Sequence, residues 1–197
     1  MKALSGDAFY DHNNTGPRAS YSIPDGGTFS IYSETLIRAP PQAVYDAILD
    51  IQNWKGWNSF VYDVQINAHP NAHDANLRMR DGVNMTFFTQ LNANEKSKSK
   101  ETCTWVDGVQ TRKDGKQPFV TRIRWDLHNA GAMIPSFVLR AQRTNEIEEL
   151  EDSTTMYRTW ETFGGLAAAV VKWKYEQDLK DRFDDWCRDL KKHVEKE

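Results

Sequence analysis

The closing stretch of this chain limits its folding options more than any other part. Residues 166–195 contain neither Gly nor Pro and are dense in Lys, Asp, Glu, Ala and Leu, so they predict one long helix. Their apolar positions do not line up as a straight stripe. Leu166, Val170 and Trp173 share one face at the 3.6-residue period, while Leu179, Phe183, Trp186 and Leu190 share another, displaced by about a third of a turn. A helix lying over two different surfaces, such as a cavity under one half and packed sheet under the other, shows this drift. A simple bend produces it too. Either way, so long a helix needs a broad apolar surface to lie on, and the rest of the chain reads mainly as strands.

The first strand spans about 28–38 and runs into Ala39-Pro40-Pro41. An amphipathic helix follows to about Ile51, with Val44, Ala47, Ile48 and Ile51 on one face. Pro41 suits its first turn, where a missing N–H costs nothing. Trp54 and Trp57 close a short second turn. Alternating or β-branched segments then recur at 60–68, 77–92, 98–106, 118–128, 137–150 and 153–163, separated by polar or Gly/Pro-rich stretches. The segment at 77–92 is one long strand or two pieces around Asp81-Gly82. Lys96, Lys98 and Lys100, between Glu95 and Glu101, read as the solvated edge of a strand. Short connections favour antiparallel meander pairing, so the order predicts an α+β fold. A curved antiparallel sheet of about six to seven strands wraps around the last helix, with two short helices after strand one.

Residues 1–27 are rich in Gly, Asn, Asp, Ser and Pro and predict an irregular N-terminal extension to a domain at 28–197. Such a segment is a disordered tail, or an arm that packs Phe9 and Tyr10 over the mouth of a pocket. The net charge of −3, with basic residues spread among acidic ones, gives no electrostatic footprint for nucleic acid. Cys103 and Cys187 lack metal or redox spacing and are expected to be free thiols of a cytoplasmic protein. The N-terminal residues hold no continuous apolar region of the secretory kind, and no run approaches the ~18 apolar residues of a membrane span.

Several chemistries find no support. There is no Ser-His-Asp order and no glycine-rich phosphate loop, so no cofactor is expected. His69 and His73, followed by Asp74, have a metal-site count, but Pro70 and the polar composition make the segment a loop, and no metal is expected. His128, at the end of the fifth strand beside Trp125 and Leu127, is a candidate for proton transfer. Arg143 and Glu161 lie on consecutive strands joined near 151–152. A two- or four-residue turn sets Arg143 opposite Trp160. A three- or five-residue turn, or a bulge, sets Arg143 and Glu161 on one face. If both point inward, the charges must pair or meet a polar ligand group, because isolated buried charge is too costly. Tyr157 and Thr159 share the face of Glu161 by alternation.

The strand, Ala-Pro, helix and tryptophan turn of residues 31–57 resemble the opening of the START-like (SRPBCC) superfamily, the helix-grip ligand-binding folds. Trp160-Glu161-Thr162-Phe163-Gly164-Gly165-Leu166 resembles the junction between last strand and last helix in members of the polyketide cyclase/dehydratase type. Ile123-Arg124-Trp125 resembles their fifth strand. Where those proteins often carry His in strand six, this chain has Arg143. The resemblance implies a cup between sheet and C-terminal helix for an apolar small molecule such as a lipid, isoprenoid or polyketide. The abundant aromatics, 9 Phe, 7 Tyr and 7 Trp, suit its walls. On this reading Trp125, Arg143, Tyr157, Thr159, Val170 and Trp173 line the ligand site. The alternative is an enzyme of the cyclase/dehydratase type, in which Glu161 or His128 transfers protons and Arg143 and Tyr157 orient the substrate.

Overall fold

A computed structural model describes residues 2–71, 73, 77–112 and 119–195. A short helical turn, α1 (Asp7–Tyr10), precedes β1 (Phe29–Ile37), and α2 (Pro41–Leu49) and a 3₁₀ turn (Ile51–Gly56) follow it. The strands β2 (Val61–Ala68), β3 (Asn84–Gln90), β4 (Lys96–Val106) and β5 (Val120–Leu127) come next. A turn of helix, α3 (Asn129–Ala132), leads to β6 (Arg140–Glu149) and β7 (Thr155–Gly164), and α4 (Ala168–Glu195) closes the chain. All neighbours pair antiparallel in one seven-stranded sheet of order β1-β7-β6-β5-β4-β3-β2. The meander is thus continuous from β2 to β7, and β1 joins the far side of β7. This is the α+β helix-grip arrangement that the sequence predicts.

The phase of α4 differs from the simplest reading of its sequence. Leu179, Phe183, Trp186, Cys187 and Leu190 are buried, as the second stripe requires. In the first half of the helix, however, Val171 and Tyr175 turn toward the core, one residue off the Leu166–Val170–Trp173 ridge. That ridge is left in solvent, with Trp173 85% exposed. The inward stripe 171–175–179–183 steps by four residues each time, as one face of a helix should. At the base of the grip, Trp186 meets Trp54 edge to face at 4.9 Å, and Trp54 also touches Phe87 and Trp125. Trp54 donates its Nε1–H to the carbonyls of Ala47 and Ile48, so its burial leaves no donor unpaired.

The N-terminal arm packs its aromatic rings on the outer face of β1 and β7 and also reaches α4, where His12 Nε2 lies 3.4 Å from Asp184 and Thr15 Oγ1 donates to Glu176. Phe9 packs on Tyr32 and Trp160, and Tyr10 on Tyr32. Both rings therefore lie on the other side of the sheet from any pocket under α4. The fully buried Arg18 organises this arm. Its Nε, Nη1 and Nη2 donate to the carbonyls of Phe9, Asn14 and Asp11 at 2.7, 2.7 and 2.8 Å, and Tyr32 stacks on the guanidinium. Lys96, Lys98 and Lys100 sit in β4, which has β3 and β5 as partners, so they line the solvent side of an internal strand rather than an edge.

Candidate functional site

The inward face of the sheet is set by register. Five residues, 150–154, connect β6 and β7, and with that loop Arg143 pairs directly with Glu161 and Asn145 with Thr159. Trp125 stands opposite Arg143 on β5, and Cys103 opposite Trp125 on β4. One row across the sheet thus reads Cys103, Trp125, Arg143, Glu161 and Ile31, all facing α4.

A chain of hydrogen bonds runs beneath this row. Trp186 Nε1 donates to the Tyr157 hydroxyl at 2.8 Å, and that hydroxyl donates to Asn145 Oδ1 at 2.6 Å. Thr159 Oγ1 also donates to Asn145 Oδ1, at 3.0 Å, and accepts from Arg143 Nε at 3.0 Å. Asn145 Nδ2 donates to the Ile123 carbonyl. Every member except Arg143 has its polar atoms occupied by protein, which is what holds such a network in a dry interior. The Arg143 guanidinium lies against Phe183 and Trp186, 4.2 Å from each ring centroid, and 5.5 Å from that of Trp125.

Two carboxyl groups share the interior with Arg143. Burial pushes Glu161 up to about 7, with Arg143 opposing the shift. Burial likewise holds Glu101 well above the usual carboxylate range, reinforced by repulsion from Glu161. Glu101 was hidden in the Lys-rich segment. The signal for it is the strand period: Lys96, Lys98 and Lys100 point outward, so Ser97, Ser99 and Glu101 point inward. A carboxyl titrating near 7 beside a guanidinium can give or take a proton at neutral pH.

Packing differs between the two ends of the grip. Around Trp186 the space between sheet and helix is filled by Trp54, Trp125, Phe183 and Tyr157, all buried. Toward the start of α4, the inward Leu127, Glu161, Val171 and Tyr175 each keep partial contact with solvent. Two surface clefts meet at Leu127. One of about 740 Å³ is lined by Phe88, Lys98, Lys100, Ile134 and Leu139 as well. The other, of about 630 Å³, adds Asp126, Phe137, Arg140 and Gly165. Arg143 and Glu161 line neither cleft.

Of the residues singled out in the sequence, Trp125, Arg143, Tyr157, Thr159 and Glu161 come together on the inward face. Val170 and Trp173 lie outside that group, exposed on the far side of α4. His128 lies on the other side of the sheet, where its Nδ1 contacts Thr102 Oγ1 at 2.8 Å. His69 uses both ring nitrogens locally, Nδ1 accepting from the Asn71 N–H and Nε2 contacting the Arg78 carbonyl. Asp74 falls outside the described residues. Cys103 and Cys187 are free and buried, and burial pushes each thiol up to about 12. Among the described residues, no cluster of His, Cys, Asp and Glu could hold a metal, and no helix is long and apolar enough to cross a membrane.

No family model matches the chain. A Penicillium oxalicum protein named oxopyrrolidines biosynthesis cluster protein O is 28% identical over 169 residues, covering 81% of this chain and 83% of that one. A START superfamily protein from Mycobacterium smegmatis superposes with a TM-score of 0.59 at 10% identity, over 85% of this chain and 97% of that one. The di-domain ARO/CYC StfQ from the steffimycin biosynthetic pathway superposes with a TM-score of 0.52 at 13% identity, over 84% of this chain and 46% of its own.

Proposed function

We propose that this chain, which has the START-like helix-grip fold, holds an apolar small molecule between its sheet and the first half of α4. The observation that carries this reading is the contrast in packing along the grip. Inward side chains around Trp186 are sealed, while Leu127, Glu161, Val171 and Tyr175 remain partly open to solvent. A concave, largely apolar surface with a few convergent polar groups is the usual form of a small-molecule site. Burying ~200–300 Å² of apolar ligand surface contributes on the order of 5–8 kcal/mol before the costs of binding, which makes about micromolar affinity the tightest expected. The neutral fluorescent probe N-phenyl-1-naphthylamine tests the reading. It should bind the native protein at micromolar concentration, and Ala141→Phe, which enlarges a side chain on the inward face, should weaken it. A correctly folded protein that binds neither this probe nor other neutral apolar probes would rule the cup out.

A second reading, catalysis of the cyclase/dehydratase type, is favoured by Glu161, whose carboxyl is pushed up to about 7 by burial. The biosynthesis cluster named for the Penicillium relative suits the same reading. Glu161 then transfers the proton and Arg143 orients the substrate, while the cup folds a reactive chain into the geometry it needs. Glu161→Gln should lower turnover by ~10²-fold or more with ligand affinity largely kept. Full turnover in that variant would remove Glu161 from the mechanism.

A further inference from the structure

We infer that the molecule held in the cup carries an anionic oxygen group, a carboxylate or an ionised enol, and that this group docks on Arg143. The inference rests on the cup reading and adds the chemical class of the ligand. Arg143 is 3% exposed, yet the protein does not give its guanidinium the acceptors that a buried cation requires. Among the described residues no ion pair joins it to Glu161 or Glu101, although Glu161 stands directly opposite on β7. Nε donates to Thr159, and Nη2 is buried without an acceptor.

The shape of the surroundings narrows what can satisfy it. Phe183 and Trp186 lie within 4.2 Å of the guanidinium carbon, a distance typical of stacking. Guanidinium donors lie in the plane of the group, so ring contacts leave its hydrogen-bonding capacity unspent. A planar cation with spare in-plane donors matches a two-oxygen anion better than it matches a neutral carbonyl. The protein's own carboxyls do not fill the role, since among the described residues neither Glu101 nor Glu161 makes a hydrogen bond or ion pair with the guanidinium. An uncompensated buried charge is costly, and a ligand that brings the missing anion recovers part of that cost on binding. The flanking solvent contact of Glu161 marks the side from which such a group arrives.

The test compares cis-parinaric acid with its methyl ester, two fluorescent probes that share one apolar body, at pH 6, where Glu161 is still largely protonated. The acid should bind at least ~10-fold more tightly than the ester. Arg143→Gln should bring the two within about 2-fold of each other, chiefly by weakening the acid, and Arg143→Lys should keep part of the preference. Lys100→Met, in the surface cleft, should leave the preference as it is. Equal binding of acid and ester by the unaltered protein would overturn the anionic anchor and leave the cup intact. A preference that survives Arg143→Gln, or disappears in Lys100→Met, would overturn it as well. If neither probe binds, the cup itself fails and the anchor with it. Should Arg143→Gln not fold, Arg143→Lys and the ratio in the unaltered protein still decide the matter.

Discussion

Glu161→Gln should make the protein more stable at pH 8 and leave its stability nearly unchanged at pH 4. In the folded chain the Glu161 carboxyl titrates near 7, raised by burial from an ordinary 4.5. Between these values the folded state binds more protons than the unfolded one, so stability falls as pH rises from about 4.5 to about 7 and stays lowered above that. At about 1.4 kcal/mol per pH unit, a rise of this size sets a ceiling of roughly 3 kcal/mol. The side chain keeps some solvent contact, so about 2 kcal/mol is the working expectation. Gln has the same size and no charge to desolvate. Asp126, also raised by burial, contributes a slope of the same sign in both proteins, which cancels in the difference, whereas Glu101 is raised by burial and partly by Glu161 itself, so its relaxation in the variant adds to the gap at high pH. Urea denaturation of both proteins at intervals from pH 4 to 8.5 measures that difference directly. A stability gap that stays flat across the range would refute the reasoning, because it would mean that Glu161 ionises in the folded state as easily as in the unfolded one.

Trp186→Ala should cost about 3–5 kcal/mol by urea denaturation, since it opens a cavity among Trp54, Trp125 and Phe183 and removes the indole N–H that donates to the Tyr157 hydroxyl. Trp173→Ala, at an 85% exposed position, should change stability by less than about 0.5 kcal/mol, and a large loss there would show that the outer ridge is covered. Arg18→Ala strips three carbonyls of their donor and should free the arm, read as faster amide exchange and proteolysis over residues 2–28 with the sheet still protected. Unchanged protection of that segment would count against the clamp. Cys103 and Cys187, buried with thiols pushed up to about 12, should both resist a disulfide reagent at pH 8 in the native protein, and rapid labelling would contradict their placement.

Local pattern was enough to reveal the order of elements. The period-2 alternation of β1 through β7, Pro41 at the start of α2 and the glycine-free run of α4 each reflect interactions within a few residues. The candidate pair Arg143 and Glu161 was visible too, but their shared face was not. It depended on whether the β6–β7 connection held an odd or even number of residues, and the five-residue loop settled it. A slip of one residue would have turned Glu161 outward and set Trp160 against Arg143. The inward phase of α4 was ambiguous for a similar reason. Leu166, Val170 and Trp173 are as apolar as Val171 and Tyr175, and only docking against the sheet selects between the two faces. Glu101 reads as a surface residue in the sequence because three neighbouring lysines make its segment look solvated, whereas alternation sends those lysines out and the carboxylate in. His128 lies next to Trp125 and Leu127 in sequence, yet its ring contacts Thr102 on the other side of the sheet. Sequence carries the periodicities that make strands and helices, because those arise from local geometry. Which faces meet, and therefore which charges are buried together, is fixed by register and docking between distant segments, and only the folded chain contains that information.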